Sequence, residues 1–413
     1  MRFEIYVLLG QLFIILPILV VAFNLRLALS SIALCIYGPA ASIVKLNIGP
    51  AVLPSGSFFA LIGIVFLILS SPVNKKLFIY ITAIFFSSLI ASFLGSGLQG
   101  IVSAAHFLLY CIFGLLLGNY ISRFSKKDKI RFSKSLILCA SASFLILIML
   151  RFYGTYISNT LVDMRDVGFG MLPIFLIFLI LLNGPSLKTI INAIIPFAYL
   201  LLSLTRSYLL DLILVVFYAR RRLIKGVFFK PLIYGIVAMS IALIFILRAS
   251  SSSNPVDDYN QEQYEEIAQV FTLTTRLNGL IYEWNDFINS PIYGNGIAYY
   301  EEAFEAFKEQ GLDTITDADY IAYNHVGLIS VLAQGGIILF FLTLVVPFFI
   351  MFKERKKIFI DEDKIMFACM CLFIGYFILF FVSGSPIRKD YTDAILYYFT
   401  IGYVFKLLTV ARN

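Results

Sequence analysis

The sequence predicts an all-α polytopic membrane protein of about 12–13 transmembrane helices with one large, partly helical external loop. Three observations predict it. Of 413 residues, 60% are hydrophobic and 14% charged, and the mean hydropathy is +0.90; no soluble fold has interior enough for that much apolar surface. Apolar runs close to the ~20 residues that cross a bilayer recur along almost the whole chain. They do not alternate as barrel strands would, and a lipid-exposed backbone must satisfy its own hydrogen bonds, so they read as helices. The third observation is a single long polar insertion, 248–325, which divides the chain into an N-terminal helix bundle (1–247), the external loop, and C-terminal helices (326–413).

In order, the expected spans are 5–23, 27–44, 57–70, 77–94, 99–120, 134–150, 168–183, 188–204, 207–219, 228–247, 326–352, 364–383 and 391–408. The first is a retained span, because its short n-region contains Glu4 and no small-residue cleavage site follows. Lysine and arginine collect at Lys75–Lys76, between Arg123 and Lys134, between Arg220 and Lys230, and between Lys353 and Lys357. By the positive-inside rule these mark cytoplasmic loops, which places 151–167, 205–206, 248–325 and 384–390 outside. Cys35, Cys111, Cys139, Cys369 and Cys371 all fall in apolar spans and read as packing residues.

The external loop opposes the charge of the whole. Between 248 and 324 there are 14 acidic residues against Arg248, Arg276 and Lys308, so its net charge is 3 − 14 = −11 in a chain of net charge +7. Nucleic acid is excluded as its partner. Apolar residues at helical spacing over 261–289 (among them Leu280, Ile281, Trp284, Phe287 and Ile288) and over 298–310 predict two amphipathic helices lying against the membrane domain. Ser290–Pro291 and Gly294–Asn295–Gly296 read as the turns between them.

The stretch Thr272–Gly336 carries the candidate chemistry. His325 opens the helix that re-enters the membrane, next to Tyr323 and Asn324. An imidazole near its ordinary pKa of ~6.5 is a general base for a hydroxyl, although an interfacial histidine that only caps a helix has the same pattern. Arg206 stands at the outer end of a span and Arg276 in the acidic loop, both against the local charge, and a guanidinium fork suits phosphate oxygens. Their plainer alternatives are ion pairs with Asp211 and Asp286. Asp317 and Asp319 resemble a metal–diphosphate carboxylate pair but suit a solvated turn better. Gly95–Ser–Gly–Leu–Gln–Gly100 matches a dinucleotide fingerprint in spacing but joins two spans and follows no strand. His106, inside a span, reads as a packing residue, and no cofactor or metal is expected.

The order of these residues resembles the O-antigen ligase and Wzy-type polysaccharide polymerase superfamily: Arg206 in L-T-R-S, Thr-Arg276 followed by Trp284, Pro291 and Gly294-x-Gly296, then Asn-His325 and Gln334–Gly335–Gly336. The resemblance covers roughly 200–345. It implies a glycosyltransferase of the bacterial inner membrane that polymerises oligosaccharide repeat units carried on undecaprenyl diphosphate, with a ligase that moves glycan to a lipid A-core as the alternative. It also implies essential roles for Arg206, Arg276 and His325, with Asn324 and Tyr323 in the substrate site, and a flippase and a chain-length regulator as partners. Ligases usually carry a small polar residue directly after the histidine, where this chain has Val326. A polysaccharide transporter or flippase is the reading from another class; the scarcity of ionisable residues deep in the spans speaks against it.

Overall fold

The computed structural model describes residues 45–48, 51–156, 171–182, 187–202, 209–213, 216, 280, 283–297, 327–360, 363–382 and 391–405. The expected spans 5–23, 27–44 and 228–247 and the basic run 220–230 lie outside the described residues. What is described is almost all helix, after a two-stranded antiparallel hairpin, β1 (Lys45–Ile48) with β2 (Ala51–Pro54), paired in register Lys45 to Pro54. The helices are α1 (Ser55–Ser70), α2 (Lys75–Ser122), α3 (Lys126–Tyr156), α4 (Leu172–Leu181) and α5 (Leu187–Leu202). A short α6 covers 283–289. Then come α7 (Gly327–Phe340), a π turn (Phe341–Val345), α8 (Val346–Ile360), α9 (Lys364–Val382) and α10 (Tyr391–Val404).

Helix α2 is a hairpin of two helical arms. Asn74 caps its start, its Oδ1 accepting from the Lys76 amide at 3.0 Å. A straight helix of 48 residues would be about 72 Å long. Yet Arg123, just past its end, donates to Ser71 Oγ, just before its start, at 3.1 Å. The chain therefore reverses between the apolar stretches Lys75–Gly95 and Ala104–Ser122. The reversal falls between Gly95 and Ala104, close to the gap that the sequence leaves between the spans 77–94 and 99–120.

The second arm lies at the centre of the bundle and the first at its edge. Gly114 and Gly118 of the second arm and Gly402 of α10 let two backbones approach without side chains between them. A Cβ at Gly118 would stand 2.2 Å from the Phe399 carbonyl oxygen, and one at Gly402 2.1 Å from that of Leu115. This is small-residue packing as membrane helices use it. All ten side chains of α4 are buried, as expected of a helix apolar on every face. Cys111, Cys369 and Cys371 are buried free thiols, in keeping with a packing role.

The perimeter is apolar. Leu61, Val65 and Leu69 on α1, Phe78, Phe86 and Phe93 on the first arm of α2, and Phe341, Phe349 and Phe352 on α7 to α8 point outward, Leu69 with 81% of its surface exposed. Such continuous apolar faces suit lipid and not water. Among the described residues, three helical stretches, Lys75–Gly95, Ala104–Ser122 and Gly327–Arg355, are long and apolar enough to cross a membrane, and five shorter apolar helices of 10–17 residues accompany them. The chain is accordingly described as a helical membrane protein.

Its two ends differ in chemistry. At one end Arg123 meets Ser71, and Lys129 forms an ion pair with Asp363 while sitting 5.2 Å above the Tyr403 ring. Asp363 also accepts from Tyr403 Oη at 2.8 Å and caps α9 through the Ile365 amide at 3.1 Å. The basic run expected as a loop is in part the first turns of α3, because Ser125 and Asp128 cap each other (Oγ to Oδ2 2.7 Å, Asp128 amide to Oγ 3.2 Å). Likewise Lys353–Lys357 lies within α8. At the other end, Gly95 meets Asn295 and Gly296, and the Ile297 amide donates to Ser92 Oγ at 3.2 Å. The first arm of α2 thus leaves the basic end, and the second arm, α7–α8 and α10 return to it.

Candidate functional site

The site is built where the polar insertion meets the end of the bundle opposite Arg123 and Lys129. Helix α6 corrects one expectation. Its apolar residues were expected to face the membrane domain, but Trp284 and Ile288 are 45% and 57% exposed, whereas Glu283 and Asp286 are 1% and 9% exposed. The acidic face is turned inward. Trp284, which packs on Phe287 at 5.4 Å between ring centroids, points outward with Ile288, Ile292 and Tyr293, as interfacial side chains do beside lipid headgroups.

After α6 the chain turns at Ser290–Ile297 and is pinned to a break in α7. The Asn295 amide donates to the Ala333 carbonyl at 2.8 Å, the Gly296 amide to the Gln334 carbonyl at 2.9 Å, and the Ile337 amide to the Pro291 carbonyl at 2.9 Å. The two acceptors are the carbonyls that an unbroken helix would hold with amides one turn further on. The loop supplies their donors instead, as buried backbone inside a membrane protein requires.

Two glycines make the junction possible. Gly336 has φ 63° and ψ −172°, a conformation open almost only to glycine, and it interrupts α7 there. Gly294 has φ 72°, and a Cβ on it would stand 2.4 Å from the Gln334 carbonyl oxygen. A Cβ on Gly336 would stand 2.3 Å from that of Ile292. The sequence expects 326–352 as one uninterrupted span; instead it is broken at Gly336 and widened again in the π turn. There Tyr80 Oη donates to the Leu342 carbonyl at 2.6 Å and Tyr397 Oη to the Thr343 carbonyl at 2.5 Å, so two other helices supply donors to that turn.

Asp286 is tied into this junction by its backbone and not by its side chain. Asn295 Nδ2 donates to the Asp286 carbonyl at 3.0 Å, yet Asp286 Oδ2 has no hydrogen-bond partner among the described residues. Burial raises its pKa from 3.8 to about 6, because the charged form is deprived of water. A carboxyl in this state exchanges its proton near neutral pH. Sequence reasoning reached Asp286 only as an ion-pair partner for Arg276; the signal it passed over was the spacing of Glu283 and Asp286 on one face.

The other residues singled out in the sequence stand as follows. His325, Arg276, Arg206, Asn324, Tyr323, Asp317 and Asp319 lie outside the described residues. Pro291, Gly294, Gly296 and Gln334–Gly336 are brought together in the junction. His106 is buried in the second arm of α2, in keeping with a packing residue, and Asp211 is buried as well. Among the described residues no group of three or more His, Cys, Asp or Glu is placed to hold a metal ion. No protein-family model matches the chain, and no curated protein matches it.

Proposed function

We propose that the protein is a membrane glycosyltransferase that polymerises oligosaccharide repeat units from an undecaprenyl diphosphate carrier, on the outer face of a bacterial inner membrane. One observation carries the reading. Pro291, Gly294-x-Gly296 and Gln334–Gly336, the motif elements on which the resemblance rests, are distant in sequence and yet interlock in one junction. An order of residues arising by chance has no reason to do so. The junction stands at the end of the bundle away from Lys75, Arg123 and Lys129, which the positive-inside rule makes the external end.

Diphosphate is a good leaving group, so cleavage of its bond to the anomeric carbon needs charge stabilisation more than a strong acid. Arg206 and Arg276 are assigned to the diphosphate, and His325 is the first candidate for the base that takes the acceptor's proton. The outward aromatics Trp284 and Tyr293 are suited to stacking on sugar rings beside the membrane.

The test uses purified protein in nanodiscs with undecaprenyl-diphosphate-linked repeat units. Elongation of the glycan on the lipid is the expected product, with activity kept in chelator. In a deletion strain, a lipid core bearing a single repeat marks a polymerase and a bare core marks a ligase. The broken α7 favours a second reading, transport of the lipid-linked glycan, because discontinuous helices also line transporter sites. In that case the deletion strain strands the intermediate on the inner leaflet instead of the outer.

A further inference from the structure

We propose that Asp286 is the group that takes the proton from the acceptor hydroxyl in this transfer. The proposal rests on the glycosyltransferase reading and assigns its base. Its ground is geometric. Asp286 sits on the inward face of α6, nine-tenths buried, with Oδ2 unpartnered among the described residues. Its main chain is held by Asn295, which is itself clamped to the break in α7. A buried carboxylate kept for structure would have a partner, because an unmade hydrogen bond there costs stability. A carboxylate kept for a substrate's O–H leaves its acceptor oxygen vacant until that hydroxyl arrives.

Among the described residues, the surroundings supply no charge to replace the hydroxyl. On α6 the other titratable group is Glu283, one turn away; the 291–297 loop brings only Tyr293, and neither 327–340 nor the first arm of α2 near Gly95 brings a charged residue. With burial alone acting on it, Asp286 is largely ionised at neutral pH and more basic than an exposed aspartate, which suits a general base. In the step, the acceptor oxygen forms a bond to the anomeric carbon as the bond from that carbon to the diphosphate oxygen breaks. The diphosphate leaves with the electron pair. The hydroxyl proton passes to Asp286 Oδ2, which becomes a neutral carboxylic acid and later releases it to water. His325 is then free to bind the donor or the acceptor.

Full-length wild-type protein, Asp286→Asn, Asp286→Glu and His325→Ala in nanodiscs test this with the lipid-linked repeat unit as substrate. Asp286→Asn should lower kcat by about 10²–10⁴ with KM changed little, and Asp286→Glu should restore part of it. The rise of kcat with pH through about 6 should be absent from Asp286→Asn and kept in His325→Ala. A second readout needs no turnover. A hydrophobic carbodiimide, which attacks protonated carboxyls, should modify Asp286 below about pH 6 and spare it above. Transfer by the wild type with an unimpaired Asp286→Asn, or a pH limb lost with His325 instead, overturns the assignment alone. Absence of transfer from the wild type overturns the glycosyltransferase reading and this proposal with it. Asp286 unreactive to carbodiimide at pH 5 shows that no reactive protonated carboxyl is there to meet a hydroxyl, and overturns the proposal whatever the rate.

Discussion

Replacing Gly336 with alanine tests the junction directly. Alanine at φ 63° and ψ −172° carries roughly 1–3 kcal/mol of backbone strain. Its Cβ would also lie 2.3 Å from the Ile292 carbonyl oxygen, so the loop must withdraw. Withdrawal breaks the backbone bonds of Asn295, Gly296 and Ile337, each worth about 0.5–1.5 kcal/mol net. Together these give about 4 kcal/mol, which is about a 10³-fold rise in local opening. Hydrogen–deuterium exchange in nanodiscs, read on peptides covering 291–297 and 333–340, measures it. Gly294→Ala opens the same junction from the other side, because its Cβ meets the Gln334 carbonyl oxygen at 2.4 Å. The double variant should therefore lose well under the sum of the two. Unchanged exchange in Gly336→Ala, or additive effects, would refute the interlock.

Two further outcomes follow from the geometry and a third from the proposed function. Because burial raises the Asp286 pKa above its ordinary 3.8, the folded chain holds a proton that the unfolded chain has released. Stability therefore falls as pH rises from about 4 to about 6, by at most about 3 kcal/mol, and thermal melts in detergent should show Asp286→Asn lacking that slope. At the basic end, Asp363→Ala should cost about 3 kcal/mol and Lys129→Ala clearly less, since Asp363 serves Lys129, Tyr403 and the cap of α9 at once; the same melts rank them, and equal losses would count against the cap. Arg206→Ala and Arg276→Ala should each abolish glycan transfer at normal protein level, with lysine a poor substitute because it lacks the bidentate fork; near-normal polymer in both alanine variants removes them from the site.

The helices were legible wherever burial and lipid exposure demand the same residues. Apolar runs predicted α1, both arms of α2, α9 and α10 within a few residues, and the gap between the spans 77–94 and 99–120 predicted the reversal in α2. The start of α3 was hidden because lysines at a membrane end look alike in a loop and in a helix; what decides is the Ser125–Asp128 cap. The facing of α6 was read backward for a physical reason. Apolar periodicity shows which side of a helix avoids water, and beside a bilayer that side can be the outer one, as it is for Trp284 and Ile288. The break at Gly336 and its partner loop depend on hydrogen bonds between residues about forty positions apart, which no local pattern encodes. Asp286 was legible only in its spacing from Glu283; that its Oδ2 has no partner among the described residues is a property of the fold.

The dependence of α7 on Asn295 and Gly296 also sets an order of assembly. The carbonyls of Ala333 and Gln334 find their donors in Asn295 and Gly296, a segment synthesised earlier. When the ribosome delivers α7 to the translocon, that segment must already be in place; otherwise two peptide groups enter hydrocarbon unsatisfied, at several kcal/mol each. A chain in which that segment is out of place cannot complete this helix. The placement of the loop against α7 is thus checked by the backbone itself.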